Sequence, residues 1–162
     1  MLTQATSLAD NLKFAFNTTS GIPHNDLDYS KKTGSDQQNN IAQIGTLVLE
    51  WTRLSDLTGN HVYANLTQKA ESYLLNTSPA STEPFPGLIT TWYDVTTGQG
   101  VGANGGWGAL DDSYYEYLLK MYIYDPVKYA KYGEKYEPMS PYKSSCNKTH
   151  ESIDGYKQQI QL

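Results

Sequence analysis

Apolar side chains recur in five stretches of the chain at a spacing of about 3.6 residues, the period of an α-helix. The predicted helices cover residues 2–16, 41–57, 61–75, 112–124 and 127–136. Only Thr58, Gly59 and Asn60 separate the second helix from the third, and this run is typical of a helix end followed by a tight turn. Because the connection is so short, the two helices are predicted to pack antiparallel as a hairpin.

Polar and turn-forming residues predict the segments between the helices. Residues 24–40 are polar and are predicted to be a long surface loop. The stretches LITTWYDV and GQGVGA flank Thr96-Thr97-Gly98, which predicts a β-hairpin. The apolar periodicity weakens at Pro138, so residues 138–162 are predicted to be a divergent, poorly ordered tail behind a domain that covers residues 1–137.

Composition narrows the classes of function. The chain of 162 residues has a net charge of −5, which argues against a nucleic-acid-binding protein because such a protein needs a basic face. No stretch approaches the ~20 apolar residues of a membrane span, and the single cysteine, Cys146, cannot form an internal disulfide. The chain has 14 tyrosines, whose flat rings with a polar edge suit sugar binding but equally suit half-buried helix positions.

Four Asn-x-Ser/Thr triplets point to the secretory pathway, where such sites accept N-linked glycans. They begin at Asn17, Asn65, Asn76 and Asn147. The chain nevertheless starts with alternating polar and apolar residues, and not with the basic start and apolar run of a signal peptide. We therefore expect a location in the endoplasmic reticulum, in the Golgi or outside the cell, with the signal or anchor segment absent from this chain.

Two adjacent aspartates, Asp111 and Asp112, stand where the fourth predicted helix begins. Either carboxylate could cap the helix, and Ser113 with Glu116 has the spacing of a capping box. Capping needs only one of the two acids, so the second requires a hydrogen-bond network, a metal or a substrate. Asp112 and Glu116 are four residues apart and therefore lie on one helix face. Carboxylates beside an aromatic ring, here Tyr115, are typical of sugar binding and of acetal hydrolysis.

Three stretches of the chain resemble glycoside hydrolase family 47, the class I α-1,2-mannosidases, and they occur in the order that this family has. The stretches are LADNLKFAFNTTSGIPHNDLD (8–28), IGTLVLEWTRLSDLTGN (44–60) and GALDDSYYEYLLKMYIYD (108–125). The second is most similar to fungal members. The resemblance implies a mainly α fold in which the chain is part of an α/α barrel of helical hairpins with a small β-hairpin insertion. Residues 1–137 would then be a partial family 47 catalytic domain.

The resemblance also implies an activity, the hydrolysis of terminal α-1,2-linked mannose from high-mannose N-glycans by an inverting, calcium-dependent mechanism. Asp112 matches a catalytic acid of the family, and Glu116 and Glu50 match acids of its substrate pocket. Leu110 stands where some members carry an arginine that grips the glycan and narrows specificity, so the resemblance implies a broader specificity here. Gln43 stands where many members have glutamate, which removes one charge from the acidic cluster.

The resemblance implies that the family's other catalytic acids and its calcium-anchoring threonine lie outside this chain. We therefore expect the chain to hold one wall of the pocket and no calcium ligand, with Asp112 pointing into a sugar-sized hollow. Its partner would be the high-mannose oligosaccharide of glycoproteins, and the complete protein would be a monomer. In isolation the chain is expected to be inactive and prone to aggregate. Two alternatives stay open: a quality-control protein that binds such glycans without cutting them, and a non-functional gene remnant.

Overall fold

The computed structural model describes residues 1–139, and helices dominate this part of the chain. The α-helices are α1 (Leu2–Leu12), α2 (Ile41–Gly45), α3 (Val48–Thr58), α4 (Val62–Leu75), α5 (Asp112–Tyr124) and α6 (Ala130–Tyr136). Short 3-10 helices cover Lys13–Phe16, Ala80–Thr82 and Glu137–Met139. The predicted mainly α fold is therefore confirmed. Among the helices described, none is long and apolar enough to cross a membrane. The predicted tail lies outside the described residues from position 140 onward.

Gly59 makes the antiparallel hairpin of α3 and α4 possible. Its φ of 72° lies in the left-handed region, which residues with a Cβ rarely adopt, and its N–H donates to the Ser55 carbonyl at 2.8 Å. The Ser55 hydroxyl accepts a hydrogen bond from the Ala64 N–H in the first turn of α4, also at 2.8 Å. The predicted hairpin is confirmed, and a buried hydroxyl holds its two helices together.

The helix predicted over residues 41–57 is interrupted, so this prediction is wrong in its middle. Helix α2 ends at Gly45, and α3 begins at Val48. Thr46 leaves the helical conformation with a φ of −94° and a ψ of 9°, and its hydroxyl donates to the Ala42 carbonyl at 2.8 Å. Apolar side chains keep their helical spacing across the break, so periodicity alone did not reveal it.

The first and the last predicted helices differ from the structure at one end. The helix predicted over residues 2–16 is α1 up to Leu12 and then the tighter 3-10 helix up to Phe16. The helix predicted over residues 127–136 begins at Ala130. Its start is delayed because the Asp125 carboxylate accepts hydrogen bonds from two backbone N–H groups, 3.1 and 2.9 Å away, and holds the chain in a turn.

A three-stranded antiparallel sheet carries the predicted β-hairpin. Its strands, in spatial order, are β3 (Gln38–Asn40), β4 (Trp92–Asp94) and β5 (Gly100–Val101). The hairpin of β4 and β5 is confirmed, with Tyr93 opposite Gly100. The prediction of a loop over residues 24–40 is wrong, because this segment contains β3 and the short antiparallel pair β1 (Leu27–Asp28) and β2 (Thr33–Gly34). Asn39 pairs with Tyr93, and such a contact between distant residues leaves no local signal.

Tyrosine rings fill much of the core. Six of them are among the largest fully buried side chains: Tyr63, Tyr93, Tyr114, Tyr115, Tyr129 and Tyr132. Several of their hydroxyls reach partners, since Tyr93 donates to the Thr77 hydroxyl at 3.3 Å and Tyr115 accepts from the Ile89 N–H at 3.2 Å. Of the two uses left open for tyrosine, these six therefore serve packing and not an exposed sugar platform.

Glu71 on α4 is a buried acid in this tyrosine core. Only 1% of its surface is exposed, and neither carboxylate oxygen has a hydrogen-bond partner among the described residues. Burial raises its pKa well above the usual value, and the positive charge of Lys131 only partly opposes this. Glu71 in turn raises the pKa of the buried hydroxyls of Tyr114 and Tyr132, after burial itself. We infer that Glu71 is uncharged in the folded protein.

Gly45 allows α2 to approach α5, and replacing it tests how tightly these helices pack. A Cβ at this position would overlap the buried Tyr114 ring and come within 3.3 Å of the Glu71 carboxylate. Gly45→Ala is expected to lower the free energy of unfolding by about 1–3 kcal/mol, because a well-packed core yields little space. Chemical denaturation measures this, with Gly108→Ala as control, since a Cβ there meets no atom within 4 Å. Equal stability of the two variants would contradict the packing.

The buried Glu71 predicts a specific pH dependence of stability. The folded pKa of Glu71 lies above the ordinary value of 4.5, so the contribution of this carboxyl to the free energy of unfolding is fully present below pH 4.5. As pH rises toward the folded pKa, the unfolded chain releases this proton and the folded chain does not, which lowers stability by about 1.4 kcal/mol per pH unit. Glu71→Gln cannot titrate, so its stability relative to that of the unmodified chain should increase steadily between pH 4.5 and the folded pKa of Glu71. The exposed Glu134→Gln is the control, and parallel pH profiles for the unmodified chain and Glu71→Gln would exclude a neutral Glu71.

Candidate active-site surface

A strained turn leads into α5 and positions both aspartates. The N–H groups of Asp111 and Asp112 donate to the Gly108 carbonyl at 3.1 and 3.2 Å. Leu110 has a φ of 78°, which is unusual for a bulky residue. Its carbonyl accepts a hydrogen bond from the Ala42 N–H at 3.0 Å, so the turn is attached to the start of α2. The backbone at the start of α5 is thus held from outside the helix.

The adjacent aspartates point into different environments. Asp111 is buried, with 5% of its surface exposed, whereas Asp112 is exposed. The Asp112 carboxylate accepts a hydrogen bond from the Ser113 N–H at 2.9 Å. Asp111 is the N-cap residue of α5, but its side chain makes no capping bond, and Glu116 pairs with Lys120 at 3.4 Å. The predicted side-chain cap is therefore wrong, because burial of Asp111 removes its carboxyl from the helix end.

Asp111 occupies a polar site beneath the surface. Its Oδ2 lies 3.2 Å from the Thr91 hydroxyl, while its buried Oδ1 has no hydrogen-bond partner among the described residues. Burial raises the pKa of Asp111, and the charge of Asp112 adds to that rise. The Thr91 hydroxyl and the Gly106 N–H act in the opposite direction. The pair of adjacent acids indicated that one of them requires a hydrogen-bond network, a metal or a substrate, but the sequence did not show that this acid is Asp111 or that Thr91 is its partner.

The predicted substrate-binding acids lie on the surface shared by α3 and α5. Glu50 and Glu116 are both exposed, the side chain of Glu116 by 66%. Glu50 accepts a hydrogen bond from the Tyr117 hydroxyl at 2.8 Å, which brings it beside the segment that carries Glu116. Desolvation and this bond to Glu50 raise the pKa of Tyr117 to about 12. A second bond, from Tyr124 to Asp56 at 2.5 Å, joins the same two helices.

Gln43, which stands where the resemblance implies glutamate, contributes to local structure. Its amide oxygen accepts a hydrogen bond from the Asn40 side chain at 2.6 Å, and its N–H donates back to the Asn40 side-chain oxygen at 3.0 Å. This reciprocal pair closes the start of α2 and differs from a capping box in that Gln43 accepts from the Asn40 side-chain amide and not from its backbone N–H. An uncharged residue at position 43 is thus accommodated by the helix start.

Among residues 1–139, the best-formed depression does not adjoin Asp112, where a sugar-sized hollow is expected. Asp112, Glu116, Glu50 and Leu110, the predicted site residues, are all exposed on open surface. A shallow depression lies elsewhere, between α1 and the end of α3, where Asp10, Asn11 and Leu57 contribute to its lining. We define the surface that carries the four predicted site residues together with Tyr117 as the acidic surface. Their functional roles stay predictions.

The described residues do not fit a calcium site. Within residues 1–139, no three His, Cys, Asp or Glu side chains come together in a way that could hold a metal ion. The acidic surface can supply carboxylates and a tyrosine hydroxyl as hydrogen-bonding groups, which suit the hydroxyls of a sugar.

Comparisons with known proteins agree with the resemblance in the motifs. The family profile "Glycosyl hydrolase family 47" matches residues 1–156. A mannosyl-oligosaccharide alpha-1,2-mannosidase 1B of Aspergillus phoenicis is 54% identical over 138 residues, which are 84% of this chain and 27% of that protein. A mannosyl-oligosaccharide alpha-1,2-mannosidase of Penicillium citrinum is 51% identical over the same share of each chain.

A solved structure of an α-1,2-mannosidase matches this chain in its fold. The alpha-1,2-mannosidase from Trichoderma reesei superposes with a TM-score of 0.82 at 48% identity, over 86% of this chain and 29% of that one. This chain thus spans somewhat more than a quarter of the length of the relatives that it matches. The family match covers nearly the whole chain, and the fold agrees with that of a solved α-1,2-mannosidase. The chain belongs to glycosyl hydrolase family 47.

Proposed function

We propose that this chain forms one wall of the active site of a mannosyl-oligosaccharide α-1,2-mannosidase. The reaction is hydrolysis of terminal α-1,2-linked mannose from the high-mannose N-glycans of glycoproteins. Two relatives of this chain carry that activity in their names, at 54% and 51% identity. The exposed asparagines of the sequons at Asn17, Asn65 and Asn76 support a location in the secretory pathway, where such substrates occur.

The observation that carries the proposal is the exposed carboxylate of Asp112 behind a strained turn. The positive φ of Leu110 costs on the order of 1–3 kcal/mol, and such strain concentrates at functional sites. The turn holds Asp112 at the first position of α5, one helical turn before Glu116. Through Tyr117 this helix is joined to Glu50, so α3 and α5 together present carboxylates and a hydroxyl that can bind a sugar.

Inverting hydrolysis divides the chemistry between two carboxyl groups. One protonates the leaving oxygen and the other activates water, about 6.5–9.5 Å away across the sugar. Asp112 supplies one of these groups, and Glu116, Glu50 and Tyr117 orient the mannose by hydrogen bonds. The opposing carboxyl has to come from a second wall, because the acidic surface is open. Calcium is the cofactor that the resemblance implies, and since the described residues do not fit it, no step is assigned to it here.

Asp112→Asn tests the catalytic role in a complete pocket. We expect this chain alone to release no mannose. A chimera in which it replaces the matching 138 residues of the Aspergillus phoenicis relative should hydrolyse a high-mannose oligosaccharide. Asp112→Asn should lower kcat of the chimera about 100-fold or more, since general acid–base groups contribute that much. Released mannose is the measurement, and the exposed Asp26→Asn is the matched control.

Two results would contradict this function. If Asp112→Asn and Asp26→Asn released mannose equally fast, Asp112 would have no catalytic role. If the folded chimera bound the oligosaccharide without cutting it, the residues of this chain would favour the alternative of a glycan-binding protein. Binding is measured separately by calorimetry.

Leu110→Arg tests specificity in the same chimera. An arginine at this exposed position would contact the glycan, so the variant should remove fewer of its α-1,2-linked mannoses than the unmodified chimera. Leu110→Ala is the matched control, because any residue other than glycine carries the same strain at a φ of 78°. The oligosaccharide products are separated by chromatography, and identical product patterns for all three proteins would overturn the prediction.

A further inference from the structure

The glycine-rich segment 102–108 lies against the chain just before β4, and Thr91 connects it to α5. A Cβ at Gly105 would overlap the carbonyl of Ile89, so the two backbones approach closely there. The Thr91 hydroxyl lies 2.5 Å from the Asn104 carbonyl and 3.2 Å from Oδ2 of Asp111. One buried hydroxyl therefore stands between this segment and the start of α5.

The number of protons available determines which of Thr91, Asn104 and Asp111 donates each hydrogen bond. A threonine hydroxyl has one proton to donate, and the Asn104 carbonyl can only accept. The contact of 2.5 Å with that carbonyl is much shorter than the contact of 3.2 Å with Asp111, so it takes the proton of Thr91. The Thr91 oxygen can then only accept from Asp111, and a carboxyl group donates only when it is protonated. The buried Oδ1, which has no partner among the described residues, also favours the neutral acid.

We propose that Asp111 is a positioning residue for Asp112 and that its protonated carboxyl donates a hydrogen bond to Thr91. The resulting relay runs from the Asp111 carboxyl through the Thr91 hydroxyl to the Asn104 carbonyl. It fastens the glycine-rich segment to the start of α5, so that Asp112 is presented in one orientation as the only charged member of the pair. The part concerning Asp112 rests on the proposed function, whereas the relay itself does not.

The groups that face Asp111 are consistent with a neutral acid. Asp112 is negatively charged and adjacent, and the buried Tyr115 hydroxyl has a pKa raised far above its usual value, chiefly by burial. The Gly106 N–H favours the charged form, and so would a Thr91 proton turned toward Asp111, but burial outweighs both. Two ionised carboxylates on neighbouring residues would repel each other, and a neutral Asp111 removes that repulsion.

The relay predicts a pH-dependent attachment of the glycine-rich segment. The folded pKa of Asp111 lies above its ordinary value of 3.8, so the relay is complete at low pH and is lost as pH rises through the folded pKa. Carboxyl carbon NMR of the aspartate-labelled, sequentially assigned chain measures that titration. Hydrogen exchange of the amides at 104–110 reports the attachment. We expect the Asp111 midpoint to lie above the ordinary value, and exchange to become about tenfold faster above it.

Three variants separate the relay from simple packing. Asp111→Asn still donates a hydrogen bond but cannot titrate, so its segment should stay protected at every pH. Asp111→Ala and Thr91→Val each break the relay, and their exchange at 104–110 should be about tenfold faster at every pH. Asp112→Asn is the control for charge, because it should lower the Asp111 midpoint and shift the loss of protection at 104–110 to lower pH together with it. An Asp111 midpoint at or below 3.8 would overturn the proposal. Amide exchange at 104–110 that is as fast in Asp111→Asn as in Asp111→Ala would overturn it too.

The positioning role of Asp111 is tested by measuring kcat and KM of its variants in the chimera. Asp111→Asn should retain hydrolysis, whereas Asp111→Ala should lower kcat and leave KM nearly unchanged, because it disturbs the orientation of Asp112 and not sugar binding. If the chimera cut no glycan while the titration and exchange results held, the proposed function would fail and the relay would stand. If all Asp111 variants cut as fast as the unmodified chimera, the positioning role would be refuted and the mannosidase function would stand.

Discussion

The close approach of α2 and α5 is the constraint on which the candidate site depends. Gly45 has no side chain where α5 presents the buried Tyr114 ring, so the two helices can lie against each other. The same approach lets the Ala42 N–H reach the Leu110 carbonyl. Leu110 is thereby held at a positive φ, and the next two residues leave the turn in opposite directions, one buried and one exposed. A packing contact in the core thus determines where a carboxylate stands on the surface.

Tyrosine performs two different tasks in this protein. Buried rings such as Tyr114 and Tyr132 fill the core around the neutral Glu71 and contribute no charge. Partly exposed ones such as Tyr117 extend from α5 to an acid on α3 and hold the two helices together. Because a phenol combines apolar area with a hydrogen-bonding tip, it suits both environments. The abundance of tyrosine therefore reflects the architecture first and sugar recognition second.

The candidate site could be predicted in its parts but not in its arrangement. Asp112, Glu116 and Glu50 were found from motifs, and the structure leaves all three exposed, with Glu50 bonded to Tyr117 of α5. The sugar-sized hollow beside Asp112 stays a prediction, because an exposed surface becomes a pocket only when further residues face it. Thr91 and Asn104 were missed, since neither carries a local signal that connects it to a residue of α5. Gln43 was considered a lost charge, whereas its amide closes a helix start with Asn40.

The sequence by itself determined the helical class, the hairpin around Gly59, the pairing of β4 with β5 and the membership of glycosyl hydrolase family 47. These features depend on periodicity, turn chemistry and motifs, which are all local. Only the tertiary structure decided that β3 joins the sheet, that α2 stops before α3, and that Asp111 is buried while its neighbour is exposed. Those outcomes depend on contacts between residues far apart in the chain. Such contacts bury a carboxyl group, and burial raises its pKa and so changes its charge at a given pH.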